Sequence, residues 1–187
     1  DRLRSRGLGD VYKRQVTASK AAIRLGVTKM SANRCFDEIE YLNVDILGMK
    51  GKSRVITVPA DIQKLWNDVR VILRNPVIAR YELKEDIQLG KKAGITALCE
   101  YSLLSDNEYP TYAITKKEIT ESGIRKMKQV HSGEEIGCVV LELGYFIDFK
   151  NKKLEDPLSV TLSLTESEKQ DERIGISIKR MLEEYVW

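Results

Sequence analysis

Hydrophobic and polar positions in the first third of the chain predict two short helices joined by a turn. Residues 18–25 (ASKAAIRL) carry apolar side chains at helical spacing, and Gly26 follows as a stop. Thr28 is a residue type that caps the start of a helix, and residues 29–42 supply a second amphipathic pattern. The face of this second helix that we expect to be buried consists of Ala32, Cys35 or Phe36, Ile39 and Leu42.

The next pattern predicts two strands joined by a tight turn. Residues 44–48 (VDILG) and 54–58 (RVITV) are rich in β-branched and apolar side chains. The intervening residues 49–52 contain Gly51, which suits a tight hairpin. Pro59 closes this unit, so we place a domain boundary there: residues 16–59 form one domain and residues 60–187 a second.

The second domain reads as a mixture of helices and strands. Its first helix has a broad apolar stripe of Ile62, Leu65, Trp66, Val69, Ile72 and Leu73. Helices are predicted at about 61–74, 92–104, 118–128 and 171–185, with a short and ambiguous one that Asp156 can cap, and strands at 77–83, 111–116 and 136–149. The whole pattern predicts the α+β class, with a mixed α/β C-terminal domain.

Composition excludes several classes of protein. The chain has 187 residues, of which 42% are hydrophobic and 32% charged, as in a globular protein. It contains no apolar run of the roughly 18 residues that a membrane helix needs, so we expect no membrane partner. The odd number of widely spaced cysteines, Cys35, Cys99 and Cys138, indicates buried thiols and a cytoplasmic location.

Charge is distributed unevenly along the chain. Residues 1–15 hold five basic and two acidic side chains, residues 16–58 hold seven and four, and residues 59–187 hold nineteen and twenty-two. A basic N-terminal third favours an anionic partner, although so few charges also fit an ordinary solvated surface. Residues 1–15 (DRLRSRGLGDVYKRQ) resemble a translated sequencing adapter, so we expect a non-native leader and native sequence from about Val16; the alternative is a basic arm.

Residues 18–42 resemble the helix-turn-helix signature of bacterial transcription regulators. The matching positions are Ala22, the turn at Gly26 and Val27, the cap Thr28, the run from Ser31 to Arg34, and Ile39. The strand pair that follows fits the wing of a winged helix, whose usual first helix would fall within the leader. The resemblance implies DNA binding: Thr28, Lys29, Ser31, Asn33 and Arg34 on the recognition helix, and Lys50, Lys52 and Arg54 on the wing.

The remainder of the chain resembles winged-helix regulators of the MarR-like or abortive-infection type IV antitoxin kind. The likeness rests on Asn75-Pro76-Val77, on residues 93–98, on Tyr101, on residues 110–113, and on the segments DPLS and DER. It implies that the protein is the antitoxin of a toxin–antitoxin system. Such an antitoxin represses its own operon, and its cognate toxin is a nucleotidyltransferase-like protein. The partners that the resemblance implies are double-stranded DNA, a toxin, and a second copy of the chain in a homodimer.

No constellation of residues indicates catalysis. His131 is the one histidine of the chain, and no cysteine or second histidine lies at metal-ligand spacing from it. We therefore expect a protein that is not an enzyme and needs neither metal nor cofactor. The alternative function is a protein-interaction module, in which the C-terminal domain binds a partner such as that toxin and the winged helix is only scaffold.

Overall fold

The computed structural model describes residues 15–105, 108–145 and 153–187. In those residues the protein has an α+β fold with eight α-helices and two β-sheets. The chain divides between Ile72 and Leu73 into an N-terminal unit and a C-terminal unit. This division falls later than the boundary expected near Pro59. No helix in the described ranges is long and apolar enough to span a membrane.

The N-terminal unit combines a small sheet with three helices. β3 (Ser53–Thr57) is the central strand of an antiparallel sheet, in which it pairs with β1 (Gln15–Thr17) on one side and with β2 (Leu47–Lys50) on the other. Val55 of β3 pairs with Thr17 on one side and with Gly48 on the other. The elements are β1 (Gln15–Thr17), α1 (Ala18–Leu25), α2 (Lys29–Tyr41), β2 (Leu47–Lys50), β3 (Ser53–Thr57) and α3 (Ile62–Val69).

Alanines dominate the core between α1 and α2. Ala22 of α1 and Ala32 of α2 are both buried, and their small side chains allow the two helices to approach closely. Phe36 is 1% exposed and is the one large side chain of this cluster, with Leu47 and Ile56 of the sheet packed against it. With a core of this size, neighbouring apolar side chains such as Ile23, Leu25 and Val27 remain exposed to solvent.

The C-terminal unit is built on a four-stranded sheet with the order β4-β7-β6-β5. Its two central strands, β6 and β7, are parallel, whereas each edge strand pairs antiparallel with its neighbour. A single turn of 3-10 helix, Ile124–Lys126, follows α5. The elements are β4 (Val77–Leu83), β5 (Lys91–Lys92), α4 (Gly94–Tyr101), β6 (Thr111–Thr115), α5 (Lys116–Ser122), β7 (Cys138–Leu143), α6 (Pro157–Ser163), α7 (Glu166–Gln170) and α8 (Glu172–Tyr185).

Both faces of this sheet are buried at the central strand β7. Every residue of β7 is buried, because alternate side chains of a strand point to opposite faces and both faces are covered. Cys138 and Val140 belong to one apolar cluster, which includes Ile119 of α5, whereas Val139 and Leu141 belong to a second cluster. The C-terminal unit therefore has a larger core than the N-terminal unit.

Several predicted elements are confirmed and others are displaced. The helix over residues 18–25 and the strand over residues 77–83 have the predicted bounds. The predicted strand over 44–48 lies instead at Leu47–Lys50, because its pairing with β3 is set by the turn. The last predicted helix is confirmed over Glu172–Tyr185.

Three helices are shorter than the prediction. The helix predicted over 118–128 ends at Ser122, because Gly123 adopts a left-handed φ of +71° and terminates it. The helix predicted over 61–74 ends at Val69, and that over 92–104 covers only Gly94–Tyr101. β1, β5 and α7 were not predicted. The predicted strand over 136–149 is confirmed over Cys138–Leu143, and its residues 146–149 lie outside the described residues.

Two predictions about burial are wrong. Cys35 is exposed and Cys99 only half-buried, so Cys138 alone is a buried thiol. Phe36 takes the core position on α2 for which Cys35 was the alternative, and Leu42 is 47% exposed. In the apolar stripe of α3, Trp66 is buried, Leu65 and Val69 are half-buried, and Ile62 is exposed. Apolar spacing alone does not show which face of a helix finds a partner.

A candidate nucleic-acid interface

The turn between α1 and α2 is fixed by two residues that the sequence singled out. Gly26 has a left-handed φ of +64°, which glycine adopts without strain. Thr28 caps α2, because its Oγ1 accepts the 3.1 Å hydrogen bond from the backbone N of Ser31. The hydroxyl groups of Thr28 and Ser31 lie 2.9 Å apart and are hydrogen-bonded to each other. Both predicted DNA-binding hydroxyls therefore serve the start of the helix.

The exposed side of α2 carries the cations that the sequence predicted. Lys29 and Arg34 are exposed, whereas Asn33 is half-buried. Met30, one turn before Arg34, is 66% exposed, and its Sδ lies 3.9 Å from Nη2 of Arg34. The N-terminal half of α2 thus exposes two cations and one apolar side chain, whereas its C-terminal half exposes Asp37, Glu38 and Glu40.

The hairpin after α2 presents two further lysines. Lys50 pairs with Ser53 across a two-residue turn of Gly51 and Lys52, and Gly51 has a φ of +60°. Lys50, Gly51 and Lys52 are all exposed. Flexible cations at an exposed turn are suited to contact phosphate groups through long-range attraction.

Arg54, the third predicted cation of the hairpin, has partners inside the unit. Its Nη1 donates hydrogen bonds to Asp37 Oδ1 at 2.6 Å and to Glu40 Oε2 at 3.3 Å. Its guanidinium carbon lies 5.9 Å from the centre of the Phe36 ring. The hydrogen bond to Asp37 is the main cause that raises the pKa of Arg54. Arg54 therefore connects β3 to α2.

Asp37 and Glu40 are site residues that the sequence did not identify. They lie three positions apart on α2 and therefore on one side of that helix. This spacing was a usable signal, because a carboxylate pair on one helix face attracts a cation. The partner could not be named from the sequence, since a strand elsewhere in the unit supplies it.

A second polar cluster lies in the C-terminal unit, on β7. Glu142 is 2% exposed and accepts hydrogen bonds from Tyr81 Oη at 2.9 Å and from Arg125 Nη2 at 3.1 Å. Burial raises the pKa of Glu142, but these hydrogen bonds outweigh burial and hold the pKa below its ordinary value. The cluster is an ion pair between the buried Glu142 and Arg125, whose side chain is 52% exposed, and it joins the 3-10 helix to the sheet.

Glu155 is a buried carboxyl with a weak set of partners. It is 1% exposed, its Oε2 accepts a 3.4 Å hydrogen bond from the backbone N of Gly94 at the start of α4, and its Oε1 has no hydrogen-bond partner. Burial raises its pKa to about 8. The next residue, Asp156, caps α6 by accepting from the backbone N of Ser159.

His131 lies in an exposed turn and belongs to no metal-binding group within the described residues. Its backbone N donates to Glu134, whose carboxylate also pairs with Lys84. The Lys84 ammonium is the main cause that lowers the pKa of Glu134 to about 2. Within the described ranges, no group of three histidine, cysteine or acidic side chains is arranged to hold a metal ion.

No protein-family model, curated protein or solved structure matches this chain. What the protein does is therefore inferred from the geometry and chemistry of its own residues.

Proposed function

We propose that this protein is a sequence-specific DNA-binding regulator of the winged-helix type. The observation that supports the proposal most directly is the exposed basic surface of the N-terminal unit. α2 follows α1 after a short capped turn and presents Lys29 and Arg34, and the hairpin that follows presents Lys50 and Lys52. In the proposed mechanism, α2 contacts base edges in the major groove while the hairpin contacts the phosphate backbone.

The wider proposal is that the protein represses transcription by occupying a promoter. Such a regulator acts stoichiometrically and needs no catalytic group. The antitoxin role, with repression of its own operon, is part of this proposal and rests on the resemblance of the sequence alone. A homodimer would match the palindromic symmetry that operators commonly have.

The experiment that tests DNA binding is an equilibrium titration of a fluorescent duplex with the full chain at several salt concentrations. We expect affinity to fall steeply as salt rises, because cations that contact phosphates displace condensed counterions. A double variant, Lys29→Gln with Lys52→Gln, should weaken binding and reduce the salt dependence. Salt-independent binding, or binding that the double variant leaves unchanged, would contradict the proposal.

The second candidate function is a protein-interaction module in the C-terminal unit. Two large apolar side chains favour it: Leu103 is 82% exposed and Ile176 is 63% exposed. Single exposed apolar residues are common on proteins, so this support is modest. In this hypothesis the partner to titrate is a nucleotidyltransferase-like toxin. Binding that Leu103→Ser and Ile176→Ser weaken, and that salt leaves nearly unchanged, would favour this candidate.

A further inference from the structure

We propose, on the basis of the DNA binding proposed above, that Met30 and Arg34 together read a thymine–guanine step and that Met30 determines the preference for thymine. The DNA partner would then carry a thymine methyl group beside a guanine in one strand of the major groove.

The accessible side chains on α2 point to this pair. The Ser31 hydroxyl is engaged with Thr28, and Asn33 is half-buried. Met30 and Arg34 are exposed neighbours on one ridge of α2, because residues four apart lie one above the other on a helix, and the next exposed residue of that ridge, Glu38, is an anion that phosphate groups repel.

The contact between these two side chains sets the spacing of what they can read. Met30 Sδ and Arg34 Nη2 lie 3.9 Å apart. Adjacent bases along one strand of B-DNA are separated by about 3.4 Å. A guanidinium group and a thioether in contact at this distance are suited to reach two neighbouring base pairs.

The chemistry of each side chain fits a different base. A guanidinium group donates two hydrogen bonds to O6 and N7 of guanine, which is the commonest specific contact to that base. A thioether is apolar and polarisable, and the matching group in the major groove is the C5 methyl of thymine. At 66% exposure, Met30 gains from covering that methyl group on binding.

The experiment uses the full chain and duplexes selected from a random-sequence library. Each thymine of the most enriched duplex is replaced in turn by uracil, which removes only the methyl group. We expect one thymine, next to a guanine, whose replacement weakens binding about fourfold, the value expected for one buried methyl-sized group. In Met30→Ala the two duplexes should bind equally well.

Met49→Ala is the matched control, because Met49 is also 66% exposed but lies on the hairpin. It should retain the fourfold preference for thymine over uracil. Arg34→Lys should reduce the preference for the neighbouring guanine, since an ammonium group cannot make the paired hydrogen bonds.

Each result decides between the two proposals. If a sequence is enriched but no uracil substitution weakens binding, or if Met30→Ala keeps the full preference, the assignment to Met30 is wrong while DNA reading stands. If no sequence is enriched over the starting library, the proposed function fails, and the thymine–guanine assignment fails with it.

Discussion

The guanidinium of Arg54 on β3 donates a 2.6 Å hydrogen bond to the carboxylate of Asp37 on α2. Because Glu40 accepts a second bond from the same nitrogen at 3.3 Å, two carboxylates of the helix engage one cation of the hairpin. The basic residues of the hairpin therefore have different roles. Lys52 extends from the exposed turn, whereas Arg54 holds the hairpin against the helix.

The different roles of Lys52 and Arg54 predict different effects of substituting them on DNA binding. Lys52→Gln should make the negative slope of log affinity against log salt concentration less steep by about 0.9, the value for one lost phosphate contact. Arg54→Gln should leave that slope unchanged and lower affinity only by loosening the hairpin. Lys64→Gln, on α3 outside the proposed interface, is the control and should change neither quantity. Equal losses of slope in the Lys52 and Arg54 variants would show that Arg54 contacts phosphate.

Glu155 predicts an unusual dependence of stability on pH. Its pKa is about 8 in the folded protein against an ordinary 4.5. Between these values the folded protein holds a proton that the unfolded chain releases, so this group makes the free energy of unfolding decrease as pH rises. Glu155→Gln removes that loss, and we expect the variant to be more stable than the parent protein at pH 8 by a few kcal/mol.

Urea unfolding of both proteins at pH 5, 7 and 9 measures this difference. The two curves of stability against pH should diverge as pH rises and should lie closest at pH 5. Parallel curves over the whole range would mean that the Glu155 carboxyl is ionised without cost in the folded protein.

The carboxyl of Glu142 is as buried as that of Glu155, but we expect the opposite dependence of stability on pH. Its pKa is lowered by its hydrogen bonds with Tyr81 and Arg125, so its contribution to stability is present above the ordinary pKa and is lost as pH falls through the lowered pKa. Glu142→Gln should reduce the free energy of unfolding at pH 7 by about 1–3 kcal/mol, because two donors lose a charged acceptor. The exposed Glu121→Gln is the control and should have little effect. A Glu142 variant as stable as the parent would show that the cluster contributes no net stability.

Two glycines predict opposite effects of the same substitution. A Cβ at Gly137 would lie 2.2 Å from the backbone O of Lys84, which cannot move without displacing β4. Gly175, inside α8, has nothing within 4 Å of such a Cβ. Gly137→Ala should therefore destabilise the C-terminal unit, and Gly175→Ala should stabilise it by about 0.5–1 kcal/mol through helix propensity. Thermal unfolding followed by circular dichroism measures both, and a destabilised Gly175 variant would contradict the placement of this residue within a helix.

Local signals in the sequence were enough to predict the elements whose ends are marked by single residues. Gly26 and Thr28 each act through their own backbone or the next few residues, so the start of α2 and the end of α1 could be read directly. Gly123 carries the same kind of signal within the polar helix predicted over 118–128, and its left-handed φ ends that helix at Ser122.

Long-range contacts were beyond what the sequence could predict. β1 has three residues and β5 has two, too few for a pattern, and each exists because a partner strand lies beside it. The pairing of Arg54 with Asp37 likewise depends on the register between a strand and a helix. The sequence proposed three cations of the hairpin as a group, and the structure distinguished Arg54, which is engaged within the unit.

The pairing of β4 with the late strand β7 has a consequence for the order in which the chain acquires its structure. Leu83 of β4 pairs with Cys138 of β7, so the sheet of the C-terminal unit cannot assemble until β7 has left the ribosome. The sheet of the N-terminal unit needs only residues up to Thr57. Contacts between residues close in sequence form faster than contacts between distant ones. During synthesis the sheet of the N-terminal unit therefore forms first. Until β7 is available, both edges of β4 are unpaired, so β4 is the segment most exposed to misassociation.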